Sequence, residues 1–391
     1  MHILIYTHGF PPMIGGLETI TMELAQSLAR STQSVPQDAV QVTVVTPNAE
    51  EAAHESDLPF RIVRKPSFTQ LVRLIRGAEI LHVAGTDMLP LLMGWLLRKR
   101  VVVGHHGFHA ACPNGQLIYG PSQAPCPGHY MAGRHLQCLK CNAASGKISS
   151  LRRWLLTFPR RWLCFRVGAN VIPTAWLGSI LQLPRMVTIH HGLRAGQGPV
   201  SPQVVGPPSI VFLGRLVSTK GVHILLQALD QVRDYEFQLN IIGDGPERAR
   251  LEADVQSQRL EARVIFRGTL VAEEREQALA AAKAVVVPSL SETFGLVALE
   301  NMLRKKVLIV SEIGALTEVI GDAGLAFPAG NAQALADCLE RVLQSDEFAE
   351  QMAARAARRA SSLFTPERMV NDHLLIYRRL LGTCPGGDLR V

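Results

Sequence analysis

The chain has 391 residues, 47% of them hydrophobic and 19% charged, with a formal net charge of +7. That balance suits a soluble α/β protein with room for two domains of about 190 residues each. Seven cysteines, an odd number without an export signal, argue against a disulfide-built secreted scaffold and for the reducing cytosol.

The N-terminus, MHILIYTHGF, reads as a strand. It lacks the basic start, long apolar core and small-residue cleavage site of a secretory signal. His2–Tyr6 is the first expected strand. A loop through Gly15 and Gly16 follows, and then a helix. Further strands are expected at 40–46, 80–83, 101–103, 171–173 and 186–189. Between them, Met88 to Leu97 holds a proline, is too short to span a bilayer, and reads as a buried helix. This alternation implies a mostly parallel sheet covered on both faces. Residues 195–208, AGQGPVSPQVVGPP, carry no charge and read as a linker. A second α/β pattern follows, with strands at 210–213, 237–242, 264–266, 284–288, 307–310 and 324–327. The C-terminal helices run from about Ala332.

Charge is unevenly placed. Residues 1–195 hold 19 Lys and Arg against 9 Asp and Glu, and the remainder 21 against 24. No acidic residue falls between Asp87 and Asp230, where 15 basic ones do. Such a region attracts anions: phosphates, acidic lipid headgroups or nucleic acid.

Ligands of doubly wound domains sit beyond the carboxyl ends of the strands, at helix starts. Three candidates fall there. Gly15 and Gly16 let backbone amides approach a phosphate, or simply form a tight turn. Arg215 and Lys220, in the loop after a strand, suit a diphosphate leaving group, or form a solvated surface pair. Glu292 and Glu300 lie in VVVPSLSETFGLVALE, one at a loop-to-helix junction and one about two turns along. Their separation of roughly 12 Å fits one acceptor for sugar hydroxyls and one for a ribose. The amides at the helix start would face the diphosphate between them. Alone, the pair could equally be two ordinary helix glutamates.

Taken together, these stretches resemble the retaining glycosyltransferases of family 4. The likeness covers most of the chain: FPPMIGGLE, VVVGHHG, VIPTAWL, VTIHHGL, FLGRLVSTKGVHILLQAL, IIGDGPE, VIFRGTL, the Glu-x7-Glu stretch and GDAGLAFPAGN. It implies the GT-B fold, two facing Rossmann-like doubly wound α/β domains with a cleft between them. The N-terminal, acceptor-side domain would span 1–195 with a Cys-rich insert at about 109–147. The linker would be 196–208 and the nucleotide-sugar domain 209–365. A C-terminal helix and tail, 366–391, would pack back on the first domain.

The resemblance also implies roles. Arg215 and Lys220 would clamp the diphosphate. Glu300 would hold the ribose. Glu292 would hold the donor sugar's hydroxyls, helped by the amides of Phe294, Gly295 and Leu296. Gly15 and Gly16 would lie on the donor phosphates, and His106, or His105 one register away, would aim at the donor sugar. No metal is needed for the leaving group, and retention would follow front-face attack without a protein nucleophile. The implied partners are a UDP- or GDP-linked sugar and a glycan or lipid-linked acceptor at the cytoplasmic membrane face, with no nucleic acid. The chain departs from the family pattern after Glu300, where Asn301 to Lys306 stands in place of a small residue, Gly and Pro.

Cys112, Cys126, Cys138 and Cys141 fall within 30 residues, the last two as C-x-x-C. In a reducing compartment they could hold a structural zinc, or remain free thiols or a redox-sensitive pair. The segment 151–166 mixes Arg with Trp, Leu and Phe. It suits an anionic membrane surface, or a core helix with a solvated basic face. Two other readings compete: an epimerase or hydrolase of nucleotide sugars on the same fold, and a basic zinc-bearing nucleic-acid-binding protein. The second leaves Glu292, Glu300, Arg215 and Lys220 unexplained.

Overall fold

The computed structural model describes residues 1–31, 40–51, 55–143, 146–194 and 206–383. They divide into two compact units. Unit 1 comprises Met1–Pro121, Cys126–Leu193 and Phe364–Val391; unit 2 comprises Ser122–Pro125 and Arg194–Leu363. Of the linker expected at 196–208, all but 206–208 lies outside the described residues.

Unit 1 is built on seven strands: β1 His2–Thr7, β2 Gln41–Thr46, β3 Arg61–Arg64, β4 Ile80–Ala84, β5 Arg100–Gly104, β6 Ala169–Ile172 and β7 Met186–Thr188. They pair in the order β3-β2-β1-β4-β5-β6-β7, all parallel. The central strands are continuous apolar runs because both faces are covered: Ile3, Leu4 and Ile5 are fully buried, as are Val102 and Val103. Strand β3 was not foreseen in the sequence. It is a short edge strand, RIVR, with one buried position, so its polarity hid it. The helices of unit 1 before the linker are α1 Gly16–Ser31, α2 Phe68–Gly77, α3 Met88–Leu96, α4 His135–Cys141, α5 Lys147–Cys164 and α6 Ala175–Leu181. Local chemistry sets several starts. The Ser67 hydroxyl accepts from the Gln70 amide at α2, and the Thr174 hydroxyl from the Leu177 amide at α6.

Helix α3 corrects a sequence expectation. The stretch 88–97 reads as buried, yet Leu89, Leu92, Trp95 and Leu96 are exposed and only Pro90, Leu91 and Gly94 are buried. Composition alone does not reveal which side of a wholly apolar helix is left open.

Unit 2 repeats the plan with β8 Ser209–Leu213, β9 Gln238–Ile242, β10 Val264–Gly268, β11 Ala282–Val287, β12 Val307–Ser311 and β13 Leu325–Phe327. Their order is β10-β9-β8-β11-β12-β13, the doubly wound arrangement whose topological switch point lies between β8 and β11. Its helices are α7 Val222–Leu229, α8 Arg248–Ser257, α9 Ala272–Ala281, α10 Leu296–Leu303, α11 Gly314–Ile320, α12 Ala332–Gln344 and α13 Asp346–Leu363.

The last helix, α14 Pro366–Leu381, belongs to unit 1. The Thr365 hydroxyl caps it by accepting from the Arg368 amide, Pro366 opens it, and Gly382 closes it in the left-handed conformation. Tyr377 is fully buried, with its hydroxyl 2.8 Å from His82 Nδ1. Arg100 Nε donates to the Leu380 carbonyl at 2.6 Å.

Candidate functional site

In unit 2 the loops after β8 and β11 meet at the switch point. The Leu290 amide donates to the Thr219 carbonyl at 2.7 Å. Gly221 has φ +67°, and a Cβ there would stand 2.0 Å from the Pro288 carbonyl oxygen, so only glycine permits this approach. The backbone lacing brings two side chains together: Lys220 Nζ lies 2.5 Å from Glu292 Oε1. The same oxygen accepts from the Ser289 hydroxyl at 3.0 Å. Ser289 is fully buried and its carbonyl in turn accepts from the buried Ser311 hydroxyl at the end of β12. Glu292 is thus held from two sides. Ser289 and Ser311 were missed in the sequence; only the repeated Ser in PSLSE hinted at a polar turn.

Arg215, in the same loop as Lys220, is exposed, and its guanidinium makes no hydrogen bond or ion pair among the described residues. It is an exposed cation just past the end of β8. The loop after β9 packs against this segment, with the Leu216 amide donating to the Asp244 carbonyl at 2.9 Å.

Phe294 is buried and anchors the approach to α10. Gly295 sits immediately before that helix at φ +95°, and a Cβ there would come within 2.3 Å of Leu316 Cδ2. Its left-handed turn sets the direction in which the Leu296 amide emerges at the helix start.

Glu300 lies in the second turn of α10, so Glu292 precedes the helix and Glu300 rides on it. One of its carboxylate oxygens, Oε2, is buried with no hydrogen-bond partner among the described residues. The nearest cations stand off, Arg304 at 3.9 Å and Arg275 at 4.0 Å. Burial raises the Glu300 pKa; Arg275 and Arg304 oppose it and Glu276 adds to it. Glu276 takes the better bonds from Arg304, at 2.8 and 2.6 Å. A buried carboxylate oxygen without a donor has unused acceptor capacity. Arg304, one of the residues by which the chain departs from the family pattern, is therefore part of this carboxylate's surroundings.

Unit 1 holds the other sequence-predicted residues. Gly16 begins α1, and Gly15 precedes it. The Gly15 carbonyl accepts from the Thr19 amide at 3.1 Å and its hydroxyl at 2.9 Å. The Glu18 carboxylate folds back over this turn, within 2.4 Å of where a Gly15 Cβ would be and 2.1 Å of where a Gly9 Cβ would be. An acid in the first turn complements the helix dipole there.

His106 follows β5 and joins a buried histidine cluster. It stacks on His191, ring centroids 5.2 Å apart and 13° from parallel. His82, His105 and His373 line the same small cavity at the carboxyl ends of the strands. His105 is tied down: its Nε2 lies 2.9 Å from Asn170 Oδ1. The two registers left open in the sequence therefore have different surroundings, His105 bonded into the sheet and His106 stacked. Burial first, and the neighbouring histidines second, push the His106 pKa down to about 3. Burial pushes His105 and His373 to about 4. His82 and His191 are lowered well below the ordinary value for the same reasons. All five rings are neutral at pH 7. His82, His191 and His373 come from three distant segments, so nothing in the sequence linked them.

The four cysteines of the insert line one cavity together with His129. They are free thiols. Cys112 Sγ donates to Asn114 Oδ1 at 2.9 Å, and Cys141 Sγ accepts from the Gly120 amide at 3.2 Å. Burial pushes Cys138 up to about 12, with the other three thiols adding to it. Among the described residues no group of three or more His, Cys, Asp or Glu is arranged to hold a metal ion. The cluster is gathered, but its sulfurs do not share a centre.

Residues 199–359 match the family model for glycosyl transferases group 1, and Arg215, Lys220, Glu292 and Glu300 all fall inside it. O-antigen chain mannosyltransferase C of Escherichia coli is 30% identical over 184 residues, 46% of this chain and 48% of that protein. The match thus spans about half of that relative's length. Glycogen synthase of Mycobacterium tuberculosis is 28% identical over 387 residues, 92% of this chain and 89% of that protein. The crystal structure of Anabaena Alr3699/HepE in complex with UDP and glucose superposes with a TM-score of 0.71 at 18% identity, covering 98% of this chain and 99% of that one. The chain has two Rossmann-like α/β domains of the GT-B fold, and its second unit carries the match to the group 1 glycosyltransferases.

Proposed function

We propose that this protein is a retaining glycosyltransferase of family 4 that moves a sugar from a nucleoside diphosphate donor, UDP- or GDP-linked, to a glycan or lipid-linked glycan. The observation that carries the reading is the arrangement in unit 2: Lys220 against Glu292, Arg215 exposed beside them, and Glu300 with a buried oxygen lacking a donor. In this reading the donor divides the Lys220–Glu292 pair. Its diphosphate takes Lys220 and Arg215, and its sugar hydroxyls take Glu292. The two cations and the amides at the start of α10 stabilise the charge that grows on the departing diphosphate. That work leaves no requirement for a metal at the leaving group. Glu300 accepts from the ribose. Departure of the leaving group gives an oxocarbenium-like centre, and the departing phosphate takes the acceptor's proton, so the anomeric configuration is retained without a protein nucleophile. Alr3699/HepE, of the same fold, has been crystallised with UDP and glucose, which supports a uridine donor. The roles of Gly15, Gly16 and His106, in unit 1, rest on the family resemblance.

The protein would work peripherally at the cytoplasmic face of a membrane. No helix among the described residues is long and apolar enough to cross one. The structural zinc proposed for Cys112, Cys126, Cys138 and Cys141 requires the four sulfurs to converge on a common centre, with those of Cys112 and Cys141 leaving their present hydrogen-bond partners. Metal analysis of gently purified protein tests it: about one zinc per chain supports the centre, and none removes it.

A panel of UDP-, GDP- and ADP-sugars screened for thermal stabilisation identifies the donor. The transfer is then followed by nucleoside diphosphate release with and without a glycan acceptor. Release that depends on the acceptor, with a product of retained anomeric configuration, supports the proposal. Fast release indifferent to the acceptor would instead identify a hydrolase on the same fold.

A further inference from the structure

Helix α5 is amphipathic in the reverse sense. Its inward positions include Ser150 and Thr157, whose hydroxyls bond to the carbonyls of Leu139 and Arg153. Leu163 is buried, but Ile148, Leu151, Leu155, Phe158, Trp162 and, at the C-cap, Phe165 are all exposed, Ile148 at 86%. Their spacing of 3, 4, 3, 4 and 3 residues makes one continuous stripe on the helix. A helix that had only to be solvated would turn the serine and threonine outward and the leucines inward.

The stripe is broadened by α3. Its exposed Leu89, Leu92, Trp95 and Leu96 lie on the neighbouring surface of the same unit, and Trp95 meets Trp162 edge-to-face at 5.1 Å. Two of the chain's four tryptophans thus sit together, partly open to solvent. An exposed apolar surface of this extent marks an interaction site.

Charge identifies the occupant. Lys147, Arg152 and Arg166 flank the stripe, exposed and without an ion pair among the described residues. Arg166 stacks over the Trp162 ring at 4.8 Å. No acidic residue occurs in the chain between Asp87 and Asp230, so neither α5 nor its surroundings supply a counter-charge from that span. Apolar and aromatic side chains in the middle and cations at the margins, which outnumber the Asp87 carboxylate beside Arg160, are the chemistry of a helix lying in the interface of an anionic bilayer.

We infer that unit 1 docks on an anionic lipid surface through the outward faces of α5 and α3, with Trp95 and Trp162 at its centre and Lys147, Arg152 and Arg166 on the headgroups. This deepens the peripheral placement proposed above, and its test does not require the transfer reaction.

Full-length protein is floated with vesicles of phosphatidylcholine alone or with added phosphatidylglycerol. Binding should depend on phosphatidylglycerol and weaken as salt is raised. Leu155→Glu with Trp162→Glu should lower binding about tenfold or more, and Lys147→Glu with Arg152→Glu should do the same only on the anionic vesicles. Circular dichroism and donor-induced thermal shifts should match those of the parent protein. Absence of phosphatidylglycerol-dependent binding by the parent overturns the inference. So does a dimer in solution that Leu155→Glu with Trp162→Glu converts to monomer, since a second copy would then be the occupant. Loss of vesicle binding with an intact donor shift separates this surface from the sugar-transfer reading, and loss of the donor shift in parent protein would fault only the latter.

Discussion

Lys220 Nζ stands 2.5 Å from Glu292 Oε1, and the two residues lie 72 positions apart in the chain. Parallel strands β8 and β11 are neighbours, so their carboxyl-end loops open at the same edge of the sheet. The contact is short because the backbones beneath it are already joined, Leu290 amide to Thr219 carbonyl.

Lys220→Ala should lower acceptor-dependent release of nucleoside diphosphate by about 100- to 1,000-fold, the scale of losing one charged donor to a developing anion. The fold should persist, because the pair is partly exposed and such pairs contribute little stability. Steady-state kinetics beside a melting curve would check both halves. A near-normal rate would remove Lys220 from the clamp.

Glu300→Ala should raise the donor KM by about tenfold, with a smaller effect on turnover, since a ribose contact made equally in ground and transition states is uniform binding. Glu300→Gln should retain most affinity. Neither change should lower the melting temperature much, because the buried Oε2 has no hydrogen bond to lose. A large drop in melting temperature for both variants would mark Glu300 as structural.

Gly295→Ala places a side chain at φ +95° and 2.3 Å from Leu316 Cδ2. The expected loss of stability is about 1–3 kcal/mol. Leu316→Ala in the same chain should recover the steric part and leave the backbone part. A double-mutant cycle by urea unfolding would show this as coupling; independent, additive effects would contradict the contact.

Acid should destabilise unit 1. The folded pKa values of His82, His105, His106, His191 and His373 are all lowered, chiefly by burial. Each ring therefore binds a proton less readily folded than unfolded. Their contribution is complete above the unfolded value near 6.5. It is lost as pH falls towards about 3 for His106 and about 4 for His105 and His373. The melting temperature should fall by more than about 5 °C between pH 7 and pH 5. His82→Gln keeps a polar partner for Tyr377 and should flatten that dependence. A flat profile in the parent protein would argue against five neutral rings.

Much of this protein was legible in order. The apolar runs at 2–6, 101–103, 210–213 and 284–287 name their strands, because parallel strands buried on both faces leave a pattern few other elements share. Arg215, Lys220, Glu292 and Glu300 stand out as candidates because loops at strand ends carry ligands in doubly wound sheets. Strand β3 escaped because RIVR is an edge with one buried position. The exposed side of α3 escaped because a helix apolar all round has no readable face.

By itself, the sequence determined the two doubly wound units and the order of their loops, since both follow from local periodicity and glycine placement. Only the tertiary structure decided which distant side chains meet. Ser289, itself bonded by Ser311, holds Glu292, Arg275 and Arg304 surround Glu300, and five histidines, from β4, the loops after β5 and β7, and α14, share one cavity. It also decided that α5 turns Leu151 and Leu155 outward. The physical reason is the same in each case. Periodicity is written along the chain, whereas contact, burial and exposure depend on what packs beside it.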